Sequence, residues 1–183
     1  MTDQPDALLV AAASYENVDD AVNDYEAIKA LYYEVETSHD FDAAVVARKE
    51  DGTIHVVRKH EQPTRHGAVH GLGWGLAIGA IAAILPPVGL LGSLAVGGSA
   101  GAAIGAVTGH MKGGMDDDDL KELGEVLGQG QAGLIVVYAT NMADQIAANI
   151  KAANRFVSKV TEMEADELAQ EIKEAEKETA AAG

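Results

Sequence analysis

The spacing of apolar positions changes several times along the chain and predicts an alternation of strands and helices. Ala7 to Ala13 is a short continuous apolar run, which is typical of a buried strand. From Val18 to Val35 the apolar residues recur every three or four positions, which predicts a helix that Asn17 caps. Strand character returns on both sides of Asp51-Gly52, from Phe41 to Arg48 and from Thr53 to Lys59, and this pair predicts a hairpin turn.

The second half of the chain repeats this alternation after a long apolar segment. Short apolar stripes predict amphipathic helices, and β-branched runs predict strands. In chain order we expect a helix from Leu120 to Leu127, a strand from Leu134 to Ala139, a helix capped by Asn141, a short strand around Phe156 to Val160, and a charged helix from Glu164 to Lys177.

The order of these elements predicts an α+β fold. Without the apolar segment and the C-terminal tail, the order is strand, helix, strand, strand, helix, strand, which is the ferredoxin-like split βαβ order with two helices on one face of an antiparallel sheet. The apolar segment enters between the third strand and the second helix. We divide the chain into the first half of the domain (1–65), an apolar glycine-zipper helical hairpin (66–111), the second half with an extra helix and strand (112–163), and a charged C-terminal helix and tail (164–183).

The inserted segment has a composition unlike that of its surroundings. The 45 residues from Gly67 to Met111 include no Asp, Glu, Lys or Arg, and Pro86-Pro87 divides the segment into two arms. A four-residue spacing places glycines on one helix face, where backbones can approach closely, so the pattern predicts a hairpin with an association surface. The glycines at this spacing are Gly71, Gly75, Gly79, Gly97, Gly101, Gly105 and Gly109.

Two environments fit this hairpin. A helix crosses the hydrocarbon core of a bilayer with about 20 apolar residues, and the two arms offer 19 residues (67–85) and 24 residues (88–111). Alternatively, several copies bury their hairpins in one shared apolar core. An isolated hairpin in water is the least favourable state, because each glycine costs about 1 kcal/mol relative to alanine in a helix. Lipid and self-assembly are compatible with each other.

Composition and charge narrow the partners and the compartment. A net charge of −16 disfavours binding to nucleic acid, whose phosphates require clustered Lys and Arg. Cysteine is absent, which removes disulfides and thiolate metal sites. The first residues lack the pattern of a secretory signal. Basic residues at 58, 59, 65 and 112 flank the hairpin, as expected for its cytoplasmic side. We therefore expect a cytoplasmic domain at the inner face of the cell membrane or, alternatively, a soluble cytoplasmic assembly.

Candidate chemistry in the sequence is sparse. His66 and His70 share a helix face, and His110 joins them if the arms pair, but no carboxylate stands at ligand spacing, so these histidines are weak metal or haem candidates. Asp116 to Asp119 fits the start of a helix better than a calcium loop. No complete nucleotide motif or nucleophile elbow is present. These observations predict a non-enzymatic protein without a cofactor.

Several segments resemble a bacterial family of unknown function whose members are described as uncharacterised membrane proteins. The matching segments are the Leu8-Leu9-Val10 strand, the glycine-zipper insertion, Asp119 to Gly124, and Leu134 to Val137. The resemblance implies a small cytoplasmic α+β domain tied to a membrane or an assembly through the zipper. It implies no catalytic residues.

We therefore expect a protein that associates with itself through its glycine faces, in a bilayer or as a homo-oligomer. On this hypothesis, replacing Gly97 or Gly101 with leucine lowers the oligomer order. The alternative hypothesis is a sensor or carrier of a small molecule, a metal or haem. Ferredoxin-like sheets often pair to form ligand clefts, and Tyr25, Tyr32, Tyr33 and His55 are the candidate lining residues.

Overall fold

The computed structural model describes residues 7–35, 41–59, 80–81, 83–84, 108–109, 111–139 and 142–164, with residues 170, 174, 177 and 181 in addition. Residues 80–81, 83–84, 108–109 and 111–114 are helical. The main elements are β1 (Ala7–Tyr15), α1 (Val18–Val35), β2 (Phe41–Arg48), β3 (Ile54–Lys59), α2 (Asp117–Gln129), β4 (Ala132–Ala139), α3 (Ala143–Asn149) and β5 (Arg155–Glu164).

These elements confirm the prediction of a mixed α+β fold. The five strands form one antiparallel sheet in the order β3-β2-β4-β1-β5. β4 therefore lies between β1 and β2, and β3 is an edge strand rather than a central one. The predicted last strand is present as β5, and it is longer than expected because it continues to Glu164.

Helices cover both faces of the sheet, whereas the element order predicted α1 and α2 on the same face. On the first face, α1 and α3 pack over side chains such as Leu134 and Val136, and together they form the first core. On the second face, α2 packs over the alternate residues, such as Ile135 and Val137, and together they form the second core. The physical reason is the continuous apolar sequence of β1 and β4, because side chains of a strand point alternately to opposite faces and both sets need cover.

Short polar contacts fix the ends of the first elements. The Asn17 side chain accepts a hydrogen bond from the amide of Asp20 at 2.8 Å, which confirms the predicted cap of α1. The turn between β2 and β3 contains Gly52 with a φ of 84°, a conformation that favours glycine. In the same turn, the Asp51 carboxylate accepts hydrogen bonds from the amide and the hydroxyl of Thr53 at 2.9 and 2.6 Å.

Ala80, Ile81 and Ile84 of the insertion belong to the second core. Ala80 and Ile81 are fully buried there, and Ile84 is 9% exposed. A Cβ atom placed on Gly124 of α2 would lie 2.9 Å from the carbonyl oxygen of Ile84, so the two backbones approach closely. Glycine is required at this position for that approach. Ala80, Ile81 and Ile84 are thus packed against the domain.

Most of the predicted hairpin lies outside the described residues. This applies to its turn at Pro86 and Pro87, to His66, His70 and His110, and to all the glycines of the predicted association surface except Gly109. Within the residues that are described, no helix combines the length and the apolar character needed to cross a bilayer.

Candidate functional site

The end of the glycine series forms an exposed face on a helical segment that is anchored in the core. Met111 is fully buried and Met115 is 8% exposed, so these two residues hold the segment against the sheet. Gly109 and Gly113, four residues apart, are exposed, and no described heavy atom lies within 4 Å of a Cβ added at either position. We call Gly109 and Gly113 the glycine face.

Gly113 was missed by the sequence analysis. It continues the four-residue spacing of Gly101, Gly105 and Gly109, but it follows Lys112 and therefore falls outside the uncharged segment. The helical backbone continues through Gly114. The four-residue glycine spacing, followed past the charged residue Lys112, predicts Gly113 as the next member of the series.

A second candidate site is an open cleft of about 730 Å³ between the start of α1 and the β2–β3 hairpin. We call it the His55 cleft. Its lining residues are Val18, Ala47, Arg48, Lys49, Glu50, Asp51, His55 and Val57. The Nδ1 atom of His55 is buried and has no hydrogen-bond partner among the described residues. A buried polar atom of this kind requires an explanation, since such atoms are nearly always paired in proteins.

The charges around the His55 cleft come from the hairpin turn. Lys49, Glu50 and Asp51 are exposed at its rim. Hydrogen bonds from the Thr53 hydroxyl and amide lower the pKa of the Asp51 carboxyl, so this group stays ionised. The guanidinium of Arg48 instead donates to the carbonyl of Gly128 in α2 on the second face of the sheet.

Ion pairs join α2 to β5. The ammonium group of Lys159 lies 2.9 Å from an oxygen of Asp119 and 2.5 Å from an oxygen of Glu122. Arg155 lies 3.8 Å from Glu122. The hydrogen bond to Glu122, followed by the one to Asp119, raises the pKa of Lys159. The cluster is balanced in sign and joins α2 to the edge strand β5.

A buried carboxylate joins β1, α1 and the loop between α3 and β5. One oxygen of Asp24, which is 5% exposed, accepts hydrogen bonds from the Tyr15 hydroxyl and from the backbone amides of Lys151 and Ala152, each at 3.0 Å. Burial, followed by the charge of Asp24, raises the pKa of Tyr15. All three contacts are internal to the fold, so we assign Asp24 a structural role.

The remaining candidates from the sequence have mixed outcomes. Tyr25 is 2% exposed within the first core and does not line the His55 cleft, whereas His55 does. The side chains of Tyr32 and Tyr33 lie outside the described set. Three of the four acids from Asp116 to Asp119 form the first turn of α2, as predicted. Among the residues that the structure describes, no group of three or more His, Cys, Asp or Glu side chains is arranged to hold a metal ion.

The protein is thus a mixed α+β domain with an antiparallel sheet covered on both faces. The chain belongs to the family described as protein of unknown function DUF1269, whose model matches residues 68–175. The matched range includes the insertion, α2, β4, α3 and β5, and it confirms the resemblance to a bacterial family of unknown function. Comparison with curated proteins and with solved structures gives no match.

Proposed function

We propose that this protein has a non-enzymatic role and associates with itself through the glycine face and the glycine series that precedes it. The observation that carries the proposal is the orientation of residues 108–109 and 111–115. Met111 and Met115 hold one side in the core, and Gly109 and Gly113 present the other side without side chains. A rigidly held glycine surface favours close helix contact, because little side-chain entropy is lost on association.

The buried residues of the insertion support an assembly of several copies as the environment of the hairpin. Ala80, Ile81 and Ile84 are buried against the domain, and α2 approaches the backbone of Ile84 closely at Gly124. These positions are covered by protein. We propose that the remaining apolar surface of the hairpins is buried between copies, with the bilayer as the second setting and the charged domain on its cytoplasmic side.

We also infer that the domain is an elaborated ferredoxin-like fold. Without β3, the strands lie in the order β2-β4-β1-β5, and α1 and α3 each connect two strands that are separated by one other strand. This order matches the split βαβ motif and supports the inference. In this interpretation α3 takes the place of the second helix, while β3 is an added edge strand and α2 an added helix on the opposite face.

The glycine face is tested by increasing its side-chain volume in steps. The purified chain, the Gly113→Ala variant and the Gly113→Leu variant are compared without detergent by light scattering coupled to size-exclusion chromatography. We expect a discrete oligomer for the unaltered chain and a smaller particle for Gly113→Leu. Gly113→Ala should associate to an intermediate degree, although its helix is more stable by up to about 1 kcal/mol.

Lys121→Leu is the matched control, because it adds an exposed leucine on α2 that is not part of the glycine face. This variant should keep the mass of the unaltered chain. An unchanged mass in Gly113→Leu, with a circular dichroism spectrum like that of the unaltered chain, contradicts the proposal. Flotation of the same samples with liposomes distinguishes a protein assembly from a bilayer as the environment of the hairpins. An oligomer that forms without lipid and does not float with liposomes indicates that the hairpins pack against one another.

A further inference from the structure

We propose that the His55 cleft binds a small organic cation, namely an amine with an apolar body. This site is separate from the glycine face, and its function does not depend on self-association. The inference rests on the shape of the cleft, on the charges at its rim, and on the unpaired nitrogen of His55.

The shape and the lining of the cleft suit a small ligand. Its volume of about 730 Å³ falls within the range of about 300–1,000 Å³ that is usual for small-molecule sites. Ala47 of β2, Val57 of β3 and Val18 at the start of α1 supply its apolar lining. Val18 and Val57 also pack at the margin of the first core, so this lining is held by the fold. An apolar body of a ligand would be desolvated on the side that contacts this lining.

The charges favour a cation. Glu50 and Asp51 contribute two negative charges at the rim against the single positive charge of Lys49. Arg48 also lines the cleft, but its guanidinium is directed to the carbonyl of Gly128 across the sheet. The net charge of −16 on the whole chain adds a field of the same sign, which attracts cations and repels anions.

The His55 ring supplies the polar contact. In the neutral tautomer with its proton on Nε2, the Nδ1 atom is a hydrogen-bond acceptor. This atom is buried and has no partner in the described part of the chain. An ammonium group has only donors to offer, so its N–H can pair with Nδ1 once the ring turns and brings this buried atom to the surface of the cleft, while its charge faces the rim carboxylates. A carboxylate ligand has no donor to offer to the Nδ1 acceptor of this tautomer, and the charges of Glu50 and Asp51 would repel it.

The test uses three probes of one shape and different charge. Benzylamine, benzyl alcohol and benzoate are titrated into the full chain at neutral pH, and binding is followed by the NMR resonances of the His55 ring and of the hairpin amides. We expect benzylamine to bind most tightly and benzoate to bind least. Glu50→Gln should weaken benzylamine binding about twofold to fivefold, and Lys49→Gln should strengthen it by a similar factor.

His55→Phe keeps an aromatic ring but removes the acceptor, so benzylamine binding should be lost or weakened by at least the factor seen for Glu50→Gln. The two charge variants alter only exposed rim side chains and so remain informative if His55→Phe does not fold. The proposal is overturned if benzoate binds as tightly as benzylamine, if the charge variants leave the benzylamine affinity unchanged, or if the resonance changes lie outside the cleft.

Discussion

Replacement of Asp24 with alanine should destabilise the fold strongly, because one oxygen of this residue accepts three hydrogen bonds. The variant leaves the hydroxyl of Tyr15 and the amides of Lys151 and Ala152 without their acceptor. Tyr15 is 1% exposed, so water cannot replace the lost partner of its hydroxyl. Lys151 and Ala152 are exposed, and their amides can be rehydrated at lower cost.

These differences in exposure determine how far the free energy of unfolding should fall. A buried donor that loses its partner costs about 1–3 kcal/mol, and we assign this cost to the Tyr15 hydroxyl. Each solvent-accessible amide loses only the net value of a hydrogen bond, about 0.5–1 kcal/mol. The free energy of unfolding should therefore fall by about 2–5 kcal/mol in Asp24→Ala. Tyr15→Phe removes one donor and leaves the two amide bonds to Asp24, so it should cost about 1–2 kcal/mol.

The assay is urea denaturation followed by far-ultraviolet circular dichroism, with all variants at one protein concentration so that self-association affects them equally. The double variant Tyr15→Phe/Asp24→Ala has no stranded hydroxyl. It should therefore be more stable than the sum of the single effects predicts, by about 1 kcal/mol. Additive effects, or a loss below about 0.5 kcal/mol in Asp24→Ala, would refute the reasoning that this carboxylate joins the three segments.

Two further predictions concern packing and pH. Gly124→Ala should destabilise the fold by about 1–3 kcal/mol, because the new methyl group lies 2.9 Å from the carbonyl oxygen of Ile84. The matched variant Gly128→Ala on the same helix should gain up to about 1 kcal/mol, since its nearest described neighbour lies at 3.6 Å, and urea denaturation of both compares the signs. In alkali, stability should be fully present below about pH 10 and decline above it, because burial raises the folded-state pKa values of Tyr15 and Tyr138 above the value of about 10 in the unfolded chain. The free energy of unfolding, measured between about pH 9 and about pH 11, should decline less steeply with pH in Tyr15→Phe than in the unaltered chain. Equal slopes in the two proteins contradict this assignment.

The sequence predicted the elements of the sheet well because their signals are local. Apolar and β-branched runs and turn chemistry identified the five strands, and the Asn17 cap and the Asp51-Gly52 turn are present as predicted. The order of the strands depends on which apolar surfaces meet. Four-residue periodicity gave α2 an apolar stripe without saying which face of the sheet it would cover, and the prediction of a shared face with α1 was wrong.

The candidate sites were predicted only in part, for a similar reason. His55 was recognised as a residue that could line a cleft. Tyr25 was predicted to do the same, but its spacing in the helix is that of a core residue, and it is buried in the core. Asp24 lies in a helix rich in acids, and nothing in its local sequence distinguishes it from its solvated neighbours. Its partners at Lys151 and Ala152 are more than 120 residues away, so only the fold reveals the contact.

The central position of β1 also has a consequence for synthesis of the chain. Of the strands in this sheet, β1 (residues 7–15) is synthesised first, yet its two neighbours in the sheet, β4 and β5, lie in the last third of the sequence. At about 5–20 residues per second, β1 waits on the order of 10 seconds for these partners. During this interval the apolar insertion emerges beside an unpaired apolar strand. The nascent chain therefore has to keep these two segments apart until β4 and β5 are made, and long-range pairing of this kind makes folding slow.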